Sequence, residues 1–302
     1  MATGPPRRVH RRRAPGRPVT GGAPGGTLGI LHLVKGGGMA VRTVVAGLPG
    51  SYTGPRYFDR QQFPDPHLLD GASPDVLATV VEDEGEYRRT VASRRVVMGH
   101  VSSATLLAAG CRALAVQVRE PRSRLLSLYR YWQSQSTAHL DTWGRWGTDV
   151  VGAAQQPLLG FLESPVTWPA TDGALARQAL GGLATPYVEQ RTWSPAPSDL
   201  ERFCDHLAVA DWSTESGRFV ARVWEYLDVP DPPALDRVNV TEVTAAPQVV
   251  DAEARRALDR LTAADRDLLD ALTDRGLLPR RSAAALDDEF EATASHLGLR
   301  LA

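Results

Sequence analysis

Lysine is almost absent from this chain: of 34 basic side chains in 302 residues, only Lys35 is lysine and the rest are arginine. Cysteine is nearly as scarce. Cys111 and Cys204 cannot build a disulfide framework and have no metal-ligand spacing, so both read as buried thiols in a reducing compartment. No apolar run approaches the ~20 residues needed to cross a bilayer, and no signal-peptide core precedes a small-residue cleavage site. No His/Cys/Asp/Glu cluster has ligand spacing. A cytoplasmic protein without membrane contact or a bound metal is the expectation.

What is present points to a globular enzyme-sized chain. A hydrophobic content of 43% over 302 residues is enough for one elaborated domain. The net charge of -1 hides an asymmetry: residues 1–58 carry nine basic and no acidic side chains, leaving 25 basic against 35 acidic in the remainder. A blanket nucleic-acid surface is therefore not expected. Residues 1–27 are Arg, Pro and Gly with almost no large apolar side chains, and read as a disordered tail. A twin-arginine export signal, an RNA-binding arm or a translation start downstream are the other readings of that stretch. The remaining residues, 28–302, are expected to form a single domain.

From residue 28 short β-like runs lead into turns and then into helical periods. Leu28–Val34, Arg95–Met98 and Ala113–Val118 read as buried strands, with Met39–Leu48 and Ser103–Ala109 as helices between them. That alternation predicts βαβ units and a parallel sheet. Pro121 suits a first helical position, and Leu125, Leu128 and Trp132 form the core-facing stripe of the helix that follows. Residues 136–155, with Trp143 and Trp146, read as an inserted loop or lid. The C-terminal half is mostly helical, with helices expected at Asp172–Leu183, Pro197–Leu207, Thr214–Leu227, Ala252–Leu272 with a break near Thr262, and Leu286–Leu297.

Three candidate sites fall at the carboxyl ends of the predicted strands, where open α/β sheets bind ligands. The first is Lys35 with Gly36, Gly37, Gly38 and Met39, a glycine-rich turn at a helix start that offers backbone N–H groups and a cation to an anion. It is not a Walker sequence, so ordinary ATP or GTP chemistry is not indicated. The second is Gly99-His100. The third is Arg119 with Ser123 and Ser127, where a guanidinium fork and hydroxyls would hold a phosphate, unless Arg119 merely pairs with a carboxylate.

These residues resemble the sulfotransferases that use 3'-phosphoadenosine-5'-phosphosulfate (PAPS), in particular the branch acting on carbohydrates. Leu31-His32-Leu33-Val34-Lys35-Gly36-Gly37-Gly38 is similar to the family's LHIPKTGGT segment. Gly99-His100-Val101-Ser102 is similar to its GHxx segment. Arg119-Glu120-Pro121-Arg122-Ser123-Arg124-Leu125-Leu126-Ser127-Leu128-Tyr129-Arg130-Tyr131 is similar to RDPxxRxxSxYxY, the most specific of the three. Weaker likeness continues at 176–182, 235–241 and 265–272, so the resemblance covers roughly residues 28–275.

The resemblance implies a P-loop-NTPase-like three-layer α/β fold, PAPS as sulfuryl donor, adenosine 3',5'-bisphosphate as product, and a carbohydrate or small-molecule hydroxyl as acceptor. It implies that Lys35 and the glycines bind the phosphosulfate, that Arg119 and Ser127 bind the 3'-phosphate, and that His100 is the general base, with an unperturbed pKa near 6.5 suited to neutral pH. Arg42 either supports the phosphosulfate or is solvated; solvation is the expectation. The family's Pro, Thr and Thr/Ser are here Val34, Gly36 and Met39, and each lost hydroxyl contact to a charged group costs about 1.5–3 kcal/mol. A non-catalytic nucleotide-binding descendant, a kinase-like phosphotransferase and an interaction protein using its arginine-rich tail are the alternatives. Trp143, Trp146, Trp168 and Trp193 suit stacking on a sugar or a flat metabolite, and the net acidity of 59–302 disfavours a polyanionic acceptor.

Overall fold

Period-two alternation of apolar residues places each central strand between two cores. The computed structural model describes residues 26–36, 38–54, 57–59, 63, 65–181, 196–235 and 248–302. Gly37, Gly182, Trp193, nearly all of the predicted tail and most of 235–241 lie outside the described residues. The chain runs β1 (Thr27–Leu31), α1 (Gly38–Ala46), β2 (Ser51–Tyr52), β3 (Phe58–Asp59), α2 (Pro74–Leu77), β4 (Val80–Val81), α3 (Glu84–Val91) and β5 (Val96–Gly99). There follow α4 (Ser103–Ala108), β6 (Cys111–Val118), α5 (Pro121–Gln133), α6 (Thr137–Thr142), α7 (Leu158–Glu163), α8 (Trp168–Thr171), α9 (Ala174–Leu180) and α10 (Pro197–His206). The last part comprises β7 (Leu207–Trp212), α11 (Ser216–Tyr226), β8 (Gln248–Val250), α12 (Ala252–Leu261), α13 (Ala263–Asp274), α14 (Ala283–His296) and β9 (Leu299–Leu301).

Five strands form one parallel sheet in the order β2-β5-β1-β6-β7. Leu28 and Ile30 of β1, Val96 and Met98 of β5 and Val209 of β7 face one core with Val41 and Val45 of α1 and Phe219 of α11. Leu31, Val97, Leu114 and Ala210 face the other, with Tyr87 of α3, Leu106 of α4 and Phe203 of α10. Helices thus cover both faces and give three layers. A further core joins α5, α7, α12 and α14 to the small parallel pair β8–β9. Because α5 runs into this second core, it is buried on nearly all sides, Leu125, Leu128 and Trp132 included.

Local chemistry explains the boundaries. Ser102 caps α4 by accepting from Thr105 N at 3.2 Å, and Glu120 caps α5 by accepting from Ser123 N at 2.6 Å with Pro121 at the first helical position. Thr262 ends α12 and starts α13, the break expected there.

Three differences from the sequence reading follow from tertiary context. Residues 136–155 are not an open loop: they form α6, a π-helical stretch at Trp146–Val151 and a 3-10 turn at Gly152–Gln155, packed on the second core through Val150, Val151 and Ala154. The sheet has two strands beyond the three expected, the two-residue β2 and β7, the latter hidden in sequence because it continues directly from the helical period of α10. The predicted tail ends one residue early, since Thr27 opens β1. Cys111 is buried as expected, burial pushing its thiol up to about 12, whereas Cys204 is only half-buried. Among the described residues no helix is long and apolar enough to cross a membrane.

Candidate functional site

The sheet topology selects the site. From β1 the chain leaves toward the β2 edge, and from neighbouring β6 it leaves toward β7, so the carboxyl ends of β1 and β6 flank a switch point where a crevice opens. Lys35 follows β1 and Arg119 follows β6.

Lys35 stands in a tight turn closed by Gly36 N donating to Leu33 O at 3.0 Å. Its φ is 61°, the left-handed value that a type II turn requires at its third position and that glycine ordinarily fills. The turn lifts the ammonium over the ring of Tyr131, 4.2 Å from its centroid. No carboxylate of the described residues pairs with it. Burial, and secondly the Arg119 guanidinium, lower its pKa to about 8. The amide of Gly36 is spent in the turn, so the cradle keeps fewer backbone donors than the glycine run suggests. Gly38 and Met39 are the first residues of α1, where N–H groups lack intrahelical partners. Gly38 is obligatory for packing, because a Cβ there would collide with the His32 ring.

Arg119 spreads its fork over two hydroxyls: Nη1 donates to Ser127 Oγ at 2.8 Å and Nη2 to Thr293 Oγ1 at 2.9 Å. Its Nε lies 3.8 Å from Glu289, a carboxylate also held by Arg281. Burial lowers its pKa, against Glu289 and Glu120. Arg119 thus reaches the hydroxyl of Ser127 and also lies beside a carboxylate, with Thr293 and Glu289 supplied by a helix, α14, that lies beyond the resemblance. Ser127 and Tyr131 are four residues apart on α5, a rise of about 6 Å, so the side chains contacting Arg119 and Lys35 share one helical face.

Ser123, also a candidate, is fully buried, its amide capped by Glu120 and its hydroxyl without a partner in the structure; it faces no ligand space. The motif's second arginine, Arg124, is likewise buried and reaches Asp265 of α13 at 3.5 Å, while Asp265 also accepts from Ala176 N at 2.9 Å. That arginine ties α5 to α13 and α9. Burial raises the Asp265 pKa despite Arg124.

His100 lies on the other side of β1. Its Nδ1 donates to the carbonyl of His32 at 2.5 Å, and because a carbonyl only accepts, the proton sits on Nδ1 and Nε2 is the acceptor nitrogen. Gln178 donates to the same carbonyl at 3.3 Å and to Val101 O at 3.2 Å, joining the loops after β1 and β5. The His100 ring stacks on His32 at 4.2 Å, and His32 is hydrogen-bonded to Tyr57. Burial drives the His100 pKa down to about 4 and that of His32 well below its ordinary value, Arg42 adding to both. The expectation of a pKa near 6.5 is thus corrected: His100 is a neutral, weakly basic imidazole. Arg42 is not simply solvated; it stacks on Tyr57 at 4.2 Å and donates to Thr53 O at 3.0 Å.

Beside His100 opens a cavity of about 200 Å³ whose walls include Leu33 and Val34 of the Lys35 turn and Tyr131, the ring under the Lys35 ammonium. Phe58, Phe63, Trp132, Trp143 and Trp146 make much of its wall aromatic. Of the tryptophans singled out in the sequence, Trp143 and Trp146 line this cavity, whereas Trp168 does not and packs against the core of α5, α7, α12 and α14. Sequence reading missed Phe58, Phe63, Glu289 and Thr293, which carry no motif and arrive from distant segments. Among the described residues no group of three or more His, Cys, Asp or Glu side chains could hold a metal. Compared with protein-family models, curated proteins and solved structures, the chain has no match in any of the three.

Proposed function

We propose that this chain transfers a sulfuryl group from PAPS to the hydroxyl of a carbohydrate or small-molecule acceptor, on a P-loop-NTPase-like fold. One observation supports the reading above all: two unlike cations, Lys35 and Arg119, flank one switch point on a common face of α5, close enough for Arg119 to depress the Lys35 pKa. Two like charges held together in partial burial suit a doubly anionic nucleotide, and the donor set fits one. PAPS supplies, when bound, an activated sulfuryl group on a phosphate leaving group. Arg119, Ser127 and Thr293 would hold its 3'-phosphate, and Lys35 with the α1 amides its phosphosulfate. His100 Nε2 takes the acceptor's proton as the acceptor O–S bond forms and the sulfur–bridging oxygen bond breaks. Lys35 stabilises the charge that collects on the bridging oxygen. A cytoplasmic location belongs to the same proposal.

A second reading, nucleotide binding without transfer, is favoured by the loss of hydroxyls at Gly36 and Met39 and by the Gly36 amide spent in its turn. Radiolabelled PAPS separates the two. Transfer predicts label in an acceptor product with one adenosine 3',5'-bisphosphate released per label. PAPS that binds but is never consumed across sugar, aryl and alkyl alcohols would overturn it.

A further inference from the structure

From the cavity beside His100 we infer that the acceptor is a flat, largely apolar aryl alcohol of one or two rings rather than a sugar; this rests on the sulfuryl-transfer reading. Size is the first argument. An apolar cavity of about 150 Å³ accommodates benzene, so one of about 200 Å³ matches a reacting end of one or two fused rings.

The second argument is the shape and chemistry of the wall. Phe58 stacks on the His100 ring at 5.1 Å with an interplanar angle of 22°, and Trp143 meets Phe58 edge-on at 5.3 Å. Phe63 continues to Trp146 at 5.1 Å, and Trp146 to Trp132 at 6.2 Å. This run of rings leads away from the imidazole and, because successive rings meet edge-on, lines the cavity with alternating ring faces and edges that suit a flat apolar ligand with one end at His100. Three of the polar side chains that line the cavity are engaged elsewhere. Gln178 donates to two carbonyls, Gln135 to Tyr131 O at 2.8 Å, and Arg124 is committed to Asp265. A sugar would bury several hydroxyls against a wall that is mostly aromatic and aliphatic, with His139 and Tyr131 among its few other polar side chains, whereas an aryl alcohol buries one and directs it at the imidazole.

The third argument is proton affinity. A phenolic hydroxyl ionises near 10 and an aliphatic sugar hydroxyl is a much weaker acid. A histidine depressed to about 4 deprotonates the former far more readily as its oxygen bonds to sulfur. The proton passes to Nε2, and the electron pair of the broken S–O bond leaves on the bridging oxygen of adenosine 3',5'-bisphosphate.

Calorimetric titration of the full chain with 2-naphthol and with methyl glucoside, both in saturating adenosine 3',5'-bisphosphate, tests the ligand class without requiring turnover. Saturable naphthol binding is expected, weakened at least tenfold in Trp143→Ala and largely kept in Trp143→Phe, with bisphosphate affinity unchanged in both variants. Trp143 is half-buried at the cavity wall and packs on the small cluster of Phe63, Leu69 and Val80, so Trp143→Phe, which keeps an aromatic ring there, separates loss of the ligand contact from loss of packing. Absence of saturable naphthol binding, or tighter binding of the glucoside, overturns the inference. Naphthol that binds as expected but is not sulfated by PAPS upholds the ligand class and overturns the transfer reading instead.

Discussion

Replacing Lys35 by methionine is expected to slow sulfuryl transfer by roughly 10²–10³-fold, the usual loss when one preorganised transition-state donor is removed. The same change is expected to stabilise the unliganded protein at pH 7. The ammonium is held in partial burial beside Arg119, and its pKa falls from 10.5 in the unfolded chain to about 8 in the native one. Below pH 8 both states are protonated and the native state bears the full cost of the charge. Between pH 8 and 10.5 the unfolded chain binds the extra proton, so wild-type stability rises relative to the variant across that window. The gap at pH 7 is on the order of 1–3 kcal/mol, after allowing for solvent screening and the lost contact with the Tyr131 ring. Denaturant titrations of both proteins at pH 7 and pH 10 measure it. A variant that is less stable at pH 7, or turns over normally, contradicts the role given to this residue.

Arg124→Met is expected to have the largest effect on stability, a loss of about 3–5 kcal/mol, because it strands the buried Asp265 carboxylate without its guanidinium. The damage should extend to the site, since Asp265 also fixes the Ala176 amide of α9, and α9 carries Gln178 to the His32 carbonyl. Adding Asp265→Leu to Arg124→Met should recover part of the loss, as removing both charges leaves no unpaired one of the pair while the Ala176 N–H still loses its acceptor. Urea unfolding of the single and double variants provides the comparison. An Arg124→Met protein as stable as wild type would mean that the second arginine of the motif is not the tie between α5 and α13.

The parallel sheet was legible because β1, β5 and β6 are short, mostly apolar runs that lead into a lysine-glycine turn, into histidine and into an Arg-Glu-Pro cap, and those punctuation residues are also the candidate site. The faces that residues share could not be read the same way. Lys35 meets Tyr131, and Arg119 meets Thr293, across separations that no local period encodes. The 136–155 segment looked like a loop because Gly144, Gly147 and Gly152 and its threonines lower helix propensity. Its helical turns are held by burial of Val150, Val151 and Ala154, a tertiary effect. Two of its glycines have geometric reasons: Gly144 has a φ of 58°, and a Cβ on Gly147 would run into the Leu140 carbonyl. His100 shows the limit of residue type as a guide. Its identity suggested a base poised for neutral pH, and its burial against His32, Tyr57 and Phe58 makes it a far weaker one.

The claim on which the rest depends is that a single nucleotide engages both cations. Calorimetric binding of adenosine 3',5'-bisphosphate, 3'-AMP and 5'-AMP to wild type, Lys35→Met and Arg119→Ala tests it most directly. The account predicts that the bisphosphate binds at least tenfold more tightly than either monophosphate. It also predicts that Arg119→Ala removes the advantage of the 3'-phosphate, and that Lys35→Met weakens 5'-AMP while sparing 3'-AMP. Equal affinity for all three ligands, or an Arg119→Ala protein that still prefers the bisphosphate, would contradict it.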